Sequence, residues 1–140
     1  MVGVEWRSGG GMATIRRFEE IEAWQYARGL VNAVYKASAD GRFARDFALL
    51  NQARRAAISV MSNIAEGFER GGNKEFVQFL ATAKGSCGEL RSQLYVAADQ
   101  GYIRQEEFDV LAEEAMRVSR MVAGLIRHLR QSELKGAKYR

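Results

Sequence analysis

The stretch NQARRAAISVMSNIAEGFERG, Asn51 to Gly71, places two adjacent arginines, Arg54 and Arg55, among apolar residues. Guanidinium forks suit carboxylates and phosphates alike, so the pair serves either an ion-pair network that sets register and subunit packing or a contact to phosphate. Phe47, Leu50, Ala57, Met61, Ile64 and Phe68 recur at helical spacing, and Arg54 falls within that seam. A buried unpaired charge is costly, so Arg54 is expected to meet a carboxylate or to snorkel its head out. Arg55 is rotated about 100° away, onto a stripe with Ser59, Ser62 and Glu66.

The other reactive side chains offer less. Cys87 stands in GSCG, which resembles a nucleophile loop but lies inside an uninterrupted helical period, at a core position between Ala83 and Leu90. No activating histidine or cation stands at clear spacing, so a buried, inert thiol is expected, with the flanking glycines thinning the helix for close packing. Helical bundles often hold di-iron sites built from glutamates and Glu-x-x-His motifs. This chain has one histidine, His128, and no such motif, so no metal site is expected. Neither G-x-x-x-x-G-K-[ST] nor G-x-G-x-x-G occurs, and ERGGNK reads as turn chemistry before it reads as an anion site. A non-enzymatic protein without a cofactor follows.

The elements that position these residues read as helices. There is no proline in 140 residues, which keeps every backbone donor available to long helices. Apolar residues make up 47% and charged residues 27%, as in one globular domain. The spacing predicts a first helix over about 15–38, through Phe18, Ile21, Trp24, Ala27, Val31 and Val34, and a second over about 45–69. Gly71 and Gly72 stop the second in a left-handed cap, and Asn73 caps the next. The third, about 74–100, carries Phe76, Leu80, Ala83, Cys87, Leu90, Leu94 and Ala97 in strict fours and threes. Gly101 ends it. The fourth repeats that rhythm through Phe108, Leu111, Ala115, Val118, Val122, Leu125 and Leu129 to about Gln131. Helices of similar length joined by short turns imply an all-α, antiparallel up-down-up-down four-helix bundle over residues 15–131. Residues 1–14, with their glycine run, are read as a flexible leader, and 132–140 as a basic tail.

A second stripe on the third helix, Val77, Ala81, Gly88 and Tyr95, has small residues that would let another backbone approach, which points to self-association. The net charge of +4, from 21 Lys and Arg against 17 Asp and Glu, permits nucleic acid as a partner. One cysteine suits a reducing compartment such as the cytoplasm, and no segment reads as a membrane span or signal.

The blocks RFEEIEAWQYARGLVNAVYK, QARRAAISVMSNIAEGFERG and NKEFVQFLATAKGSCGELRSQLYVAADQGYI resemble the bacterial 23S rRNA intervening-sequence proteins, or S23 proteins. The likeness runs from about Arg16 to Leu129. It rests most on the arginine pair Arg54 and Arg55, the N-I-A-E-G block with Asn63, Glu66 and Gly67, and the E-F-x-x-F-L and G-S-x-x-E-L blocks. The resemblance implies a bundle that assembles into a ring-like homopentamer, and a distant kinship with the accessory protein of diversity-generating retroelements, which binds nucleic acid and a reverse transcriptase. Some members are encoded within insertions in 23S rRNA genes, which implies RNA binding. Many members have proline where Met61 stands and Phe-Pro where Phe43-Ala44 stands, so the second helix should be straighter here.

The expected function is therefore a homo-oligomer that binds RNA or structured nucleic acid through a basic surface. Arg16, Arg17, Arg28, Lys36, Arg42, Arg45, Arg55, Arg127, Arg130, Lys135 and Lys138 are its candidate phosphate contacts. The alternative is a protein-interaction scaffold for another polypeptide, such as a polymerase-type enzyme, through a patch containing Val77, Tyr95 or Tyr102.

Overall fold

The computed structural model describes residues 4–8 and 11–138, with side chains over 14–132. Two strands, β1 (Val4–Ser8) and β2 (Gly11–Ile15), pair antiparallel from Val4 opposite Ile15 to Ser8 opposite Gly11. The residues set apart above as a leader thus hold a hairpin, and Ile15 at its end is buried in the core. After a 3-10 turn at Phe18–Glu20 come α1 (Glu22–Ala37), α2 (Gly41–Arg45), α3 (Phe47–Glu69), α4 (Asn73–Asp99) and α5 (Gln105–Lys138). The helix expected to end near Gln131 continues to Lys138, through most of the segment read as a tail.

Nearly all of the core comes from the helices, and its strongest determinants are the two heptad seams. In α4, Phe76, Leu80, Ala83, Cys87, Leu90, Leu94 and Ala97 are all buried, as are Phe108, Leu111, Ala115, Val118, Val122, Leu125 and Leu129 in α5. Each large apolar side chain among them contributes about 1.5–3 kcal/mol by leaving water. α3 and α4 run antiparallel. Ser59 and Ser86 share a hydrogen bond of 2.9 Å mid-helix, and near the turn Phe68 meets Phe76 edge-on with centroids 6.0 Å apart. α1 packs on both α3 and α5.

The buried face of α3 runs through Leu50, Ala53, Ala57, Val60, Ile64, Gly67 and Phe68. The stripe through Phe47, Arg54 and Met61 lies roughly a quarter-turn to its side on the helical wheel. Phe47 is accordingly 69% exposed, whereas Arg54 and Met61 are half-buried. The arginine sits at the edge of the seam and not within it.

The helix ends follow local chemistry. Gly101 adopts φ 74, and the Tyr102 N–H reaches back to the Ala97 carbonyl at 2.9 Å, closing α4 with a left-handed cap. Gly71, φ 84, follows α3 in the same conformation. Gly72, extended at φ −110, is the N-cap of α4, so Asn73 is the helix's first residue and not its cap. Asp46 caps α3 through a 3.2 Å hydrogen bond from the Leu49 N–H and separates it from the single turn of α2.

Close approach in the helical core occurs at Gly67. A Cβ there would stand 2.6 Å from Phe79 Cβ and 3.0 Å from a ring carbon of Phe76. At Gly85 and Gly88, the glycines expected to thin α4, an added Cβ meets nothing within 4 Å in this chain. Gly67→Ala should therefore lower stability by about 1–3 kcal/mol through overpacking. Gly29→Ala, where the space is also open, should instead raise it by about 0.5–1 kcal/mol. Urea midpoints of the two variants against the parent chain check the contrast.

Candidate nucleic-acid interface

The cations expected to share a basic surface are divided between the two ends of the helical core. At one end α1 finishes, and α2 and α3 begin. There the Arg42 guanidinium donates to the carbonyls of Gln100 and Gly101 at 3.1 and 3.3 Å and stands 5.4 Å over the Tyr102 ring. Tyr102 donates to Asp46 Oδ2 at 3.0 Å, a hydrogen bond that, with burial, raises its hydroxyl above the usual phenol range. Expected in an exposed patch, Tyr102 is half-buried in this network.

Arg54 belongs to the same end. Its Nε donates to Ser38 Oγ at 3.1 Å, its terminal nitrogen to the Ser38 carbonyl at 3.3 Å, and its guanidinium stands 4.2 Å over the Tyr35 ring. Ser38 Oγ in turn donates to the Val34 carbonyl at 2.7 Å. No carboxylate forms an ion pair with Arg54 among the described residues, so the expected ion-pair network is replaced by a cap. The cation sits where the last carbonyls of α1 carry partial negative charge, and its flat face stacks on an aromatic ring. Arg55 is exposed, as are Lys36 and Arg45, and none of the three makes an ion pair among the described residues.

Arg16, Arg17, Arg127 and Arg130 lie at the opposite end, where Ile15 and Ile21 meet Met121 and Leu125. Arg17 is paired with Glu19 at 2.9 Å. Arg28, near the middle of α1, stands 5.9 Å from the Trp24 ring centre. The two ends are separated by α1, roughly 24 Å for its 16 residues. The side chains of Lys135 and Lys138 lie outside the described residues.

The motif residues Asn63 and Glu66 make contacts along their own helix. Asn63 Nδ2 donates to the Ser59 carbonyl at 2.8 Å and to Ser59 Oγ at 3.0 Å, while Glu66 pairs with Arg70 one turn on at 3.0 Å on the surface. Of the proposed interface stripe, Ala81 and Gly88 are exposed and Val77 is half-buried against the core. Tyr95 is 56% exposed, with its ring 4.6 Å from that of Phe108. The Cys87 thiol is buried, and burial pushes it up to about 11 against a smaller opposing pull from Lys84 and Arg91. Among the described residues no group of three metal-ligating side chains gathers, and no helix is long and apolar enough to cross a membrane.

One constellation has no signature in the sequence. Gln25, Tyr26, Gly29 and Leu30 of α1 face Glu114 and Arg117 of α5 across a groove of about 270 Å³. Arg117 stands 5.4 Å over the Tyr26 ring, and burial raises the Glu114 carboxyl, with Arg117 opposing it less. Its members lie some ninety positions apart in the chain, so only the packing of α1 on α5 brings them together.

Comparison with known proteins agrees with this architecture. A family model described as 23S rRNA-intervening sequence protein matches residues 19–124, most of the chain. The crystal structure of a protein of unknown function from the S23 ribosomal protein family of Bacteroides thetaiotaomicron is similar in fold. Its TM-score is 0.64 at 20% identity, over 74% of this chain and 94% of that one. No curated protein matches the chain.

Two outcomes follow for the residues singled out. Arg54→Ala should cost about 1–2 kcal/mol, because it strips hydrogen bonds and stacking from the end of α1, whereas Arg55→Ala should stay within about 0.5 kcal/mol of the parent. Chemical denaturation compares them. With the Cys87 thiol at about 11, only about one in a thousand is ionised at pH 8. A chromogenic disulfide reagent should therefore leave the native protein unlabelled at pH 8 and react fully once the protein is unfolded.

Proposed function

The chain belongs to the 23S rRNA-intervening sequence protein family, and from that membership we propose that it is a non-enzymatic, self-assembling protein that binds RNA or structured nucleic acid. The subunit is read as an antiparallel up-down-up-down bundle of α1, α3, α4 and α5. The packing of α1 on α3 and α5, and of α4 on the same two helices, supports that reading. The observation that carries the binding function is the set of exposed cations without an ion pair at one end, Lys36, Arg45 and Arg55. Guanidinium and ammonium groups left in water need break no ion pair to turn onto phosphates. One subunit's +4 is modest. A ring of five would repeat each cationic end around an axis and raise the field that steers a polyanion. The reducing cytoplasm remains the compartment proposed for it.

Assembly is proposed through the outer face of α4. Ala81 and Gly88 leave open space there, and solvent-exposed glycine in a helix interior weakens the helix unless another backbone uses the room. A second reading, a scaffold for a polymerase-type polypeptide, is favoured by exposed apolar side chains, Tyr95, Val96 and Val110 at 56%, 44% and 58% exposure.

Binding to structured RNA should weaken steeply with salt, and Arg45→Glu with Arg55→Glu should reduce affinity about tenfold or more while leaving the dichroism spectrum unchanged. Filter binding across a salt series measures both; a double variant that binds like the parent would exclude these cations. Gly88→Trp should shift light-scattering mass toward smaller species with helical content retained. Recovery of a polypeptide from native cells after nuclease treatment would favour the scaffold.

A further inference from the structure

We propose that the groove between α1 and α5 is a subsite for a single unpaired guanine base, an inference that rests on the nucleic-acid reading above. The groove places acceptors and a cation around one aromatic ring. Glu114 is half-buried and makes neither hydrogen bond nor ion pair to protein among the described residues, although Arg117 stands one turn along the same helix. Its carboxylate is a partly dehydrated acceptor without a donor. Gln25 Nε2 is already committed to the Glu19 carbonyl at 2.8 Å, which leaves its amide oxygen as a second acceptor. Arg117, stacked over Tyr26, supplies N–H donors beside a π surface.

The flat group that complements this set has two adjacent N–H donors on one edge and acceptors on another. Guanine presents N1–H and N2–H side by side, with O6 and N7 beyond them. Adenine and cytosine each set a donor beside an acceptor, and uracil has one donor between two acceptors. Unpaired bases are recognised in this way, stacked on aromatic or guanidinium planes and hydrogen-bonded along their edges. A phosphate would be repelled by Glu114, and an arginine from a peptide would meet Arg117 as a like charge. Gly29 keeps the room open, since a Cβ there meets nothing within 4 Å.

The test uses the full chain and three labelled single strands read by fluorescence anisotropy: a uridine tract with one central guanosine, the same tract with inosine, which lacks the N2 amino group, and uridine alone. The guanosine strand should bind about tenfold tighter than the uridine strand, and inosine should lose most of that gain. Glu114→Gln removes the carboxylate, and Gly29→Leu fills the groove at a position where the helix has space. Each should bring the guanosine strand down to the affinity of the uridine strand, with far-ultraviolet dichroism confirming that the variant is folded. Equal binding of all three strands by the parent chain, or a guanosine preference that survives in both folded variants, overturns the guanine site while leaving RNA binding standing. Failure to bind any of the strands, or any structured RNA, overturns both.

Discussion

Gly67 lets α3 lie closer to α4 than any side chain would permit, because the space its Cβ would need is filled by Phe79 and Phe76. The rest of the helix pair is registered by that approach. With the backbones this near, Ser59 and Ser86 come within hydrogen-bonding distance and the Phe68 and Phe76 rings meet edge-on, while Asn63 donates to Ser59 one turn earlier on its own helix. The small residues Ala53, Ala56 and Ala57 extend the close-packed face along α3. Once α4 is fixed in this way, its buried seam meets that of α5, and α1 covers the side left between α3 and α5.

The cations divide between two duties that compete for the same guanidinium. Arg42 and Arg54 are held by backbone carbonyls at the ends of α4 and α1, where a helix leaves acceptors without intrahelical donors. Stacking on Tyr102 and Tyr35 fixes their planes further. An arginine so engaged would have to abandon its cap to reach a phosphate. Neighbours such as Arg45 and Arg55 carry no such cost. Adjacent residues of one type, Arg54 and Arg55, therefore serve structure and surface separately.

Much of the architecture was legible because α4 and α5 state their buried faces in unbroken heptads, where every fourth and third residue is apolar. Other parts were hidden for specific reasons. The Phe47, Arg54 and Met61 stripe is as periodic as the true face of α3, and only the alanines beside it, weak as hydrophobic signals, mark where the neighbour sits. The partner of Arg54 is a serine and its carbonyl at the C-cap of α1, a pairing without charge pattern. Gly67 and Gly88 look alike in sequence; which one meets a neighbouring backbone within the chain depends on helix rotation. The β1–β2 hairpin was hidden because a glycine run reads as a flexible leader, and the α1–α5 groove by the length of chain between its walls.

The heptads of α4 and α5 also set a handedness. A straight α-helix drifts about 20° per seven residues relative to a 3.5-residue repeat, so helices that keep such seams buried over their length must wind around one another to the left. The outer face inherits that winding. Ala81, Gly88 and Tyr95 are spaced seven apart, so they keep a constant angle to the buried seam and trace a left-handed helical path over the surface, not a straight line. A straight rod laid against α4 would touch that path over a limited stretch. A partner coiled in the same sense could follow it from end to end, so the pitch written into the core also selects what shape can lie along the outside.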